Sequence, residues 1–574
     1  MRRQLLQVPL SVQIDCKPDF AAFEDAIKSS SEALDYEPPG GATEERVAES
    51  VVRLAIALQL LTWISVSRRY KLQRLPSNAE GKQRFLVVLG CFYHEPAQMA
   101  LEWAVTAFNH FASPGQRASD EGVFDESVFE ISKTLRPYAE TDVNTKNFLL
   151  AADELDIPAA RWLGDVYRYG TGSRARLLKS TITDRTPAFG QHFSTSKYVA
   201  ASILRGHGLP GSEQRLVDSE QDAIAAAEHF GYPVVVKPPD RDLGVGVAAD
   251  LRNREELLSA FADAQEFGRH VIVERHFEGE EFRLTVIAGK VVKIENRVAA
   301  GVEGDGISTV RQLVDRQRAT PKQRRVERVN GKVYYQLDAE ALLMLDRIGL
   351  TPESVPAIGQ RVTLKRRRNA NAGADQIRVD PKDVHPDNMA LAIRAAEIMH
   401  LDFAGVDFLS PDITRSWRET GALICEVNIR PGIGSYTSPR IYVEILERMF
   451  AEGSRIPAYL LLTDGEVPLN TTSAQSLYDK LGCNGLSCAG TILIDGKALP
   501  DRPGNSFSAA QILLGETRVD SALCVMSAQL VAKKGLPNDW FDAIFVERPG
   551  PFTDRLIPLI SPNAGRVQAV ASGA

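Results

Sequence analysis

The spacing of hydrophobic residues predicts a small α/β region at the start of the chain. Between residues 43 and 67, apolar side chains recur every three or four positions, which is the period of an amphipathic helix. The apolar run at residues 83–92 predicts a strand, and residues 95–111 predict a second helix. This α/β region ends near Pro158, so we assign residues 1–160 to a first domain.

The pattern changes from Ser196 onward to short apolar strands separated by helices. Amphipathic helices are expected from Lys197 and from Asp387, in a strand-rich α+β core that we assign to residues 161–450. A third domain, residues 451–574, opens with a strand near Ile456 and alternates strand and helix. The expected fold class is therefore a mixed α/β and α+β multidomain protein. The strands predicted for its centre are residues 232–238, 270–274, 282–288, 291–296, 403–409 and 422–428.

Composition narrows the choice of function class. The 574 residues are 44% hydrophobic and 25% charged, with a net charge of −7, which is typical of a globular enzyme and not of a nucleic-acid coat protein. The clearest basic run, residues 365–368, is short, and is either a solvated face or a contact to a substrate carboxylate or phosphate.

Cysteine spacing and the N-terminus predict a cytoplasmic protein. The six cysteines are scattered without zinc-ligand spacing, which is typical of buried thiols in a reducing compartment. The N-terminus lacks the apolar core and cleavage site of a signal peptide, and the apolar stretch at residues 54–64 is too short to span a bilayer. We therefore expect neither a nucleic acid nor a membrane as a partner.

Lys237 ends a run of three valines and precedes two prolines, so its ammonium group is expected to be fixed at the end of a buried strand. That position suits an ATP phosphate, although a plain surface lysine is the alternative. The following loop contains Gly244 and Gly246, whose backbone can approach phosphate oxygens closely. The loop matches neither a Walker motif nor a dinucleotide fingerprint, so alone it is weak evidence.

The next strand ends at Glu274 and leads into Arg275, His276 and Phe277, followed by an acidic turn. A strand end followed by such a turn can bind an adenine ring through backbone groups, and a carboxylate of the turn can accept hydrogen bonds from the ribose hydroxyls. An acidic solvated turn is the alternative.

The sharpest local signal is a possible magnesium site. In the predicted strand ending CEVN, Glu426 and Asn428 share a face because side chains alternate along a strand. Asp407 is an acid within another strongly apolar strand, where an unpaired charge is costly. Magnesium prefers such oxygen ligands. A salt bridge from Asp407 to an arginine is the alternative interpretation.

Two basic segments remain. Arg297 follows a strand and precedes the tight turn GDG, where its guanidinium can stabilise charge on a transferring phosphoryl group. Residues 167–193 offer Gly170, Gly172, Arg174 and Arg176, and are either a linker or a contribution of basic side chains to the same site.

Taken together, these segments resemble the ATP-grasp domain of the cyanophycin synthetase family. The resemblance covers about residues 161–449, and upstream the string VVLGCFYHEPAQMALEWAVTAFN more weakly resembles the family's N-terminal domain, which is thought to help hold a growing polymer. The matching strings are TDRTPAF, the helix from Lys197, YPVVVKPPD, the glycine loop, IVERHFEGEEFRLTV, GDGIST, VHPDN, LDFAGVDFLSPDI and ICEVNIRPG.

The resemblance implies ATP and Mg²⁺ as cofactors and a role for each matching position. It implies a ligase that phosphorylates a carboxylate and lets an amine displace the phosphate. It also suggests a homo-oligomer, dimer or tetramer. By position, the resemblance implies that Lys197 and Lys237 bind ATP phosphates, that residues 274–277 (Glu274, Arg275, His276 and Phe277) contact adenine, and that Glu281 contacts the ribose. It further implies that Asp407, Glu426 and Asn428 bind magnesium and that Arg297 is catalytic.

Two departures from the family pattern shape the expected function. Where the family has the phosphate loop of a second, Mur-ligase-like ATP site, residues 462–468 read LTDGEVP, without the lysine and hydroxyl of that loop. We therefore expect a degenerate, truncated third domain and one ATP site, as in the short family type that joins preformed β-aspartyl-arginine dipeptides. The second departure is NANAGA at residues 369–374, which leaves the substrate open.

Three hypotheses follow. The first is a ligase that couples β-aspartyl dipeptides to the C-terminus of a cyanophycin-like polymer. The second is a discrete ligase that joins two amino acids or small peptides once. The third is a non-catalytic polymer-binding protein, which the intact Lys237, Asp407, Glu426 and Asn428 disfavour.

Overall fold

The computed structural model divides the chain into two compact units. The first comprises Met1–Ser180 and Tyr442–Ala574, and the second is Thr181–Ile441. The division at residues 160/161 and 450/451 stays a prediction. The structure describes residues 4–13, 18–30, 34–78, 82–113, 122–140, 142–240, 246–320, 323–324, 327, 331–366, 368, 373–434, 440–468, 472–500 and 504–570.

The first unit opens with an antiparallel sheet covered by helices. Its strands are β1 (Gln4–Val12), β2 (Val66–Leu75) and β3 (Gln83–Cys91), in the order β1–β3–β2. Apolar stripes of the helices pack into one core with buried residues such as Phe23, Leu58 and Phe108. The helices are Phe20–Ser29, Thr43–Leu61, His94–Phe111, Val123–Leu135 and Val143–Glu154.

The helix predicted for residues 43–67 ends early, at Leu61. The Thr62 hydroxyl donates to the carbonyls of Leu58 and Gln59, and Trp63 adopts φ +64°, a left-handed conformation that stops a helix. The chain then turns into β2, which the hydrophobic period alone does not reveal.

Residues 167–180 are not an extended linker, because they belong to a group of short strands. β4 (Ala159–Leu163), β5 (Val166–Tyr169) and β6 (Arg176–Lys179) are antiparallel neighbours in the first unit. Gly172 has φ +56°, and a Cβ there would lie 2.5 Å from Ile456. Close packing therefore requires this glycine.

Two antiparallel sheets dominate the second unit. After the short strand β7 (Ile182–Thr183), the first sheet has the order β10–β9–β11–β8, formed by β8 (Gln214–Val217), β9 (Val234–Lys237), β10 (Ala248–Leu251) and β11 (Val271–Arg275). Helices Glu220–Phe230 and Arg254–Gln265 pack on this sheet and bury its valines.

The second sheet of this unit positions most of the predicted site residues. Its strands are β12 (Glu280–Ile287), β13 (Lys290–Val298), β16 (Asp375–Arg378), β17 (Phe403–Ser410) and β18 (Leu423–Asn428), in the order β16–β13–β12–β17–β18. Helices Lys197–Gly206 and Pro386–Ile398 contribute buried residues to the core on one face. A small two-stranded antiparallel sheet, β14 (Gly301–Glu303) with β15 (Arg361–Thr363), packs with helices Val310–Arg318 and Ala339–Arg347. Further α-helices described in this unit are Ala188–Thr195 and Trp417–Thr420, and helix Ile441–Met449 begins at its last residue and continues in the first unit.

The C-terminal part of the first unit contains a largely parallel sheet. Its central strand, β19 (Ala458–Thr463), is parallel to both of its neighbours. Leu460 and Leu461 lie in different cores, on opposite faces, which explains the continuous apolar run of this strand. The other strands are β20 (Gly485–Cys488), β21 (Thr491–Ile494), β22 (Lys497–Ala498), β23 (Ala522–Ser527), β24 (Ala543–Val546) and β25 (Val567–Ala569), in the order β22–β21–β20–β23–β19–β24–β25. Its helices are Thr472–Leu481, Ser506–Leu513, Ala528–Lys534 and Pro551–Ile560.

The mixed α/β, multi-sheet fold class is confirmed, as are the strands predicted for the centre of the chain, with small shifts at their ends. Within the described ranges, no helix combines the length and the apolar character needed to cross a membrane. The cysteines in these ranges are free thiols, and Cys16 lies outside them.

Candidate active site

The second sheet of the Thr181–Ile441 unit has one apolar face and one charged face. Phe282 and Leu284 of β12 are buried in the helix-covered core. Because side chains alternate along a strand, Glu281 and Arg283 lie on the opposite face. The same alternation places Arg297 of β13 and the predicted metal ligands of β17 and β18 on that charged face: Asp407, Glu426 and Asn428.

Strand register brings these residues side by side. Glu281 is paired with Arg297 across β12 and β13, and Arg283 is paired with Asp407 across β12 and β17. Asp407 is in turn paired with Glu426 of β18. Acids thus lie opposite bases across β13, β12 and β17, whereas two acids are neighbours across β17 and β18.

Asp407 is the centre of this network. Arg283 donates to both of its carboxylate oxygens, from Nε to Oδ1 and from Nη2 to Oδ2 at 2.8 Å. Arg297 Nη1 lies 3.2 Å from Oδ1, and Asn428 Nδ2 donates to Oδ2 at 3.1 Å. The salt-bridge alternative for Asp407 is therefore what the structure contains, with two arginines.

Glu281 is held on the same network by Arg297, which donates from Nη1 to Oε1 at 3.1 Å. Burial raises the pKa of Glu281, and the negative charge of Asp407 raises it further, whereas Arg297 lowers it. Arg297 itself is mostly buried between the two acids, so its guanidinium is fixed in position.

A β-bulge places a thiol beside these charges. The pairing of β17 with β18 passes from Asp407–Glu426 to Phe408–Ile424, so Cys425 is an extra residue in β18. Its Sγ donates to the Asp407 carbonyl at 3.3 Å. Burial raises the pKa of the Cys425 thiol, and so do the charges of Asp407 and Glu281. The thiol is therefore protonated at neutral pH and is a poor nucleophile.

The donor set fits magnesium in its chemistry. Asp407, Glu426 and Asn428 supply two carboxylates and an amide oxygen on adjacent strands, and Mg²⁺ usually takes one or two protein carboxylates, with water and phosphate oxygens completing its shell. Glu426 is the more accessible acid, because four contacts surround the Asp407 carboxylate. In the described part of the chain, no three His, Cys, Asp or Glu side chains come together as a metal site. Metal ligation by this set stays a prediction.

Lys237 forms a buried ion pair at the end of β9. Its Nζ lies 2.7 Å from Oε1 of Glu274 on the neighbouring strand β11. The other oxygen of Glu274 accepts hydrogen bonds from Ser212 Oγ at 2.5 Å and Gln214 Nε2 at 2.8 Å. Lys237 is therefore not a loose surface lysine.

The segment predicted to contact adenine follows directly. The amide of Arg275 donates to the Glu213 carbonyl at 3.4 Å, and the amide of His276 donates to the Pro233 carbonyl at 3.2 Å. Burial lowers the pKa of His276, which favours the neutral ring. Phe277 is partly buried beside it, and adenine contact by this segment stays a prediction.

Lys197 and the glycine loop complete the predicted set. Lys197 begins a helix, and its Nζ lies 3.6 Å from Oε1 of Glu426. Its amide donates to the Pro239 carbonyl, which anchors this helix start to the segment after β9. Gly246 has φ +70°, and a Cβ there would lie 2.8 Å from Pro238. Gly244 lies outside the described residues.

Sequence reasoning missed Arg283 and a buried pair, Lys293 and Glu295. The Lys293 Nζ lies 2.6 Å from Glu295 Oε1 and donates to the Ile433 carbonyl at 2.6 Å, after β18. Burial lowers the pKa of Lys293. The signal was available, since charged residues alternate with apolar ones along EFRL and KIENR.

The basic run at residues 365–368 is engaged within the same unit. Lys365 pairs with Asp338 and lies 3.5 Å from Glu340, and Arg368 donates to the Gly279 carbonyl at 2.6 Å. Arg367 lies outside the described residues. The contacts of Lys365 and Arg368 disfavour a merely solvated face.

Lys237→Met is expected to lower the free energy of unfolding by about 3 kcal/mol, because Glu274 then stays buried without its cation. Urea denaturation followed by circular dichroism measures this change. Adding Glu274→Gln should recover part of the loss. The matched control is Lys290→Met, at an exposed position, for which less than about 0.5 kcal/mol is expected. Wild-type stability of Lys237→Met would show that the pair does not form.

Comparison with known proteins assigns this region to a class. Residues 210–308 match the family model described as D-ala D-ala ligase C-terminus. This segment contains Lys237, Glu274, Glu281 and Arg297. Over this segment the chain is similar to ATP-grasp ligases, a class that uses ATP with Mg²⁺.

More particularly, the chain is similar to cyanophycin synthetases. It is 30% identical to the one from Geminocystis herdmanii over 414 residues, which cover 69% of this chain and 46% of the relative. It is 29% identical to the one from Nostoc sp. over 413 residues, which cover 68% and 45%. The chain thus spans about half the length of these relatives. Among solved structures, a bifunctional glutathione synthetase from Pasteurella multocida gives a TM-score of 0.41 at 21% identity, covering 62% of this chain and 53% of that one.

Proposed function

We propose that this protein forms an amide bond between a carboxylate and an amine at the expense of ATP. The observation that supports this most directly is the charged face of the second sheet, on which Arg297 is fixed between Glu281 and Asp407. A guanidinium held in this way can stabilise charge that develops on a phosphoryl group without reorganising during the reaction. Similarity to ligases over about two thirds of the chain supports the same conclusion.

The reaction has two steps. A substrate carboxylate oxygen attacks the γ-phosphorus of ATP, the bond from that phosphorus to the β–γ bridging oxygen breaks, and an acyl phosphate and ADP form. The amine then attacks the acyl carbon, and phosphate leaves as the amide forms and the amine releases a proton. The first step is needed because a carboxylate is a poor electrophile and phosphate is a good leaving group.

The chain's own residues have distinct roles in this proposal. Lys197 and Lys237 bind ATP phosphates, with the loop at Gly246 beside them. Glu274 to Phe277 hold adenine, and Glu281 accepts the ribose hydroxyls. Arg297 stabilises the transferring phosphoryl group. Asp407, Glu426 and Asn428 hold Mg²⁺, which when bound neutralises phosphate charge.

We further propose that the carboxylate belongs to the C-terminus of a cyanophycin-like polymer and the amine to a β-aspartyl dipeptide. One activation step suffices for such coupling, and the residues after β19 favour a single ATP site. Thr463 donates its hydroxyl hydrogen to the Gly465 carbonyl at 2.7 Å, and Glu466 accepts from Ser506 at 2.9 Å. A carboxylate at this loop disfavours a phosphate ligand.

A discrete ligase that couples two amino acids or small peptides once is the second candidate. The altered stretch at residues 369–374 favours it, and residues 369–372 of that stretch lie outside the described ranges. A cytoplasmic location, a homo-oligomer and the three-domain division stay predictions.

A phosphate-release assay separates these candidates. The purified chain is given ATP and Mg²⁺ with aspartate plus arginine, with β-aspartyl-arginine alone, or with β-aspartyl-arginine and a cyanophycin primer, and products are weighed by mass spectrometry. Growth of the primer by whole dipeptides is expected. Turnover on free aspartate plus arginine, without dipeptide, would contradict the polymerase proposal, and a single coupled product would support the discrete ligase. No phosphate release with any pair would contradict the ligase function.

A further inference from the structure

The first unit contains a second feature suited to a ligand, an open cavity of about 1270 Å³. Its walls come from residues 156–171 and from the C-terminal part of the same unit, including residues 508–516 and 535–540. No residue of the candidate active site lines it. Its volume exceeds the roughly 300–1000 Å³ typical of small-molecule sites, so an organic molecule fits without rearrangement.

Several charges in the lining are already neutralised by neighbours. Arg455 pairs with Asp539 at 2.7 Å and with Asp156 at 3.2 Å. Glu516 lies 3.4 Å from Arg518. These groups therefore present little net charge to the cavity.

Arg168 differs from them. It lies on β5 between Tyr167 and Tyr169, whose side chains are buried on the other face of the strand. Within the described ranges, no carboxylate forms an ion pair with Arg168. Its guanidinium makes a cation–π contact with the indole of Trp162, with the guanidinium carbon 5.0 Å from the ring centroid. Desolvation lowers the pKa of Arg168, so a cation lies partly dehydrated without a counter-charge.

A glycine makes room for this guanidinium. A Cβ on Gly515 would lie 2.2 Å from Arg168 Nη1. Gly515 does not have a positive φ, so space and not backbone conformation requires glycine there. Arg168 therefore has a defined position in the cavity wall.

The rest of the lining includes large apolar side chains that remain exposed. Trp162 is 56% exposed and Leu559 is 75% exposed, and Ile512 and Trp540 are also exposed. Exposed apolar groups of this size around an unpaired cation favour a ligand with an apolar body. A single unpaired guanidinium matches the single charge of a carboxylate and its two-oxygen geometry, whereas a doubly charged phosphate would keep excess charge.

We propose that this cavity binds an organic carboxylate, whose carboxylate group pairs with Arg168 and whose apolar body lies against Trp162 and Ile512. The site is separate from the proposed ATP site and does not depend on the proposed function. It gives the protein a ligand site whose lining residues are not those proposed for the ligase reaction.

Isothermal titration calorimetry with 4-phenylbutyrate and its neutral amide, 4-phenylbutyramide, tests this proposal. The wild-type chain should bind the acid at least about tenfold more tightly, because only the acid forms charge-assisted bonds to Arg168. Arg168→Met should remove this preference, and Arg168→Lys should keep part of it. Gly515→Ala should weaken acid binding while the charge remains, since its Cβ displaces the guanidinium.

Arg74→Met is the matched control, because Arg74 is an exposed arginine of the same unit outside the cavity lining. It should bind the acid as the wild type does. Equal binding of acid and amide by the wild type, or a retained preference in Arg168→Met, would overturn the proposal. Inorganic phosphate that displaces phenylbutyrate at equal concentration would do the same. If Arg168→Met does not fold, the wild-type acid–amide comparison and Gly515→Ala decide. ATP turnover of Arg168→Met should equal that of the wild type, which separates this outcome from failure of the ligase proposal.

Discussion

Asp407→Asn is expected to reduce ATP-dependent phosphate release below detection. The substitution keeps the size of the side chain but removes the charge that faces Arg283 and Arg297. It also removes one of the two proposed magnesium carboxylates, so phosphate charge is no longer neutralised. A coupled phosphate assay at saturating ATP and Mg²⁺ measures the loss.

Because Asp407 belongs to a buried ion-pair network, Asp407→Asn should lower stability as well as activity. Arg283 loses its buried acid partner, and removing one partner of such a pair destabilises a protein by about 3–5 kcal/mol. Urea denaturation should show that loss. The double variant Arg283→Met with Asp407→Asn removes the orphaned cation, so we expect stability to recover while phosphate release stays absent.

Glu426→Gln provides the matched comparison. Glu426 is more exposed, and its recorded ion pair, with Lys197, is longer at 3.6 Å. Glu426→Gln should therefore lower stability little. It should still lower phosphate release strongly, because it removes the other proposed magnesium carboxylate. If Asp407→Asn is folded and releases phosphate at the wild-type rate, the metal assignment of Asp407 is wrong.

Alternation of residue types explains why the central strands were predictable. In β12 and β17, every second residue is apolar and lies on the buried face. The acids of β17 and β18 lie on the other face. The sequence alone placed Glu426 and Asn428 on one face of a strand and grouped Asp407, from another strand, with them as a magnesium ligand. Their strands proved to be direct neighbours, which sequence spacing does not determine.

Pairing partners across strands could not be predicted in the same way. The sequence presents Arg283 simply as a polar residue in a strand, yet register places it opposite Asp407. Likewise, the sequence pattern puts Lys293 and Glu295 on one face of a strand, but only the fold shows that both are buried and that Lys293 donates to the Ile433 carbonyl. The Cys425 bulge depends on how β17 and β18 align, which a single strand's pattern does not contain.

At the start of the chain, the helix prediction for residues 43–67 failed at its end for a different reason. The helix period continues through the aliphatic residues before Ser67, but left-handed Trp63 ends it and β2 follows. Strand β2 is mostly exposed along its second half and has no continuous apolar face. Its position depends on pairing with β3, a long-range contact that overrides local propensity.

Arg297→Met is expected to lower kcat for phosphate release by about 10²–10³-fold, since it removes a fixed charge proposed to act on the transferring phosphoryl group. The KM for ATP at pH 8 should change far less, because the proposed phosphate lysines remain. Steady-state kinetics at varied ATP concentration measures both constants. Arg297→Lys should restore part of kcat, because it keeps the charge but not the forked geometry.

The same substitution should shift a pH profile, which a loss of packing alone would not do. Arg297 lowers the pKa of Glu281, while burial and Asp407 raise it. Without Arg297, the pKa of Glu281 rises further, so its carboxylate becomes protonated at a higher pH as the solution is acidified. Because we propose that the ionised form accepts the ribose hydroxyls, the KM for ATP should begin to rise at a higher pH in Arg297→Met than in the wild type. An unchanged pH profile would show that Glu281 does not contact ATP in its ionised form, and an unchanged kcat would remove Arg297 from the catalytic step.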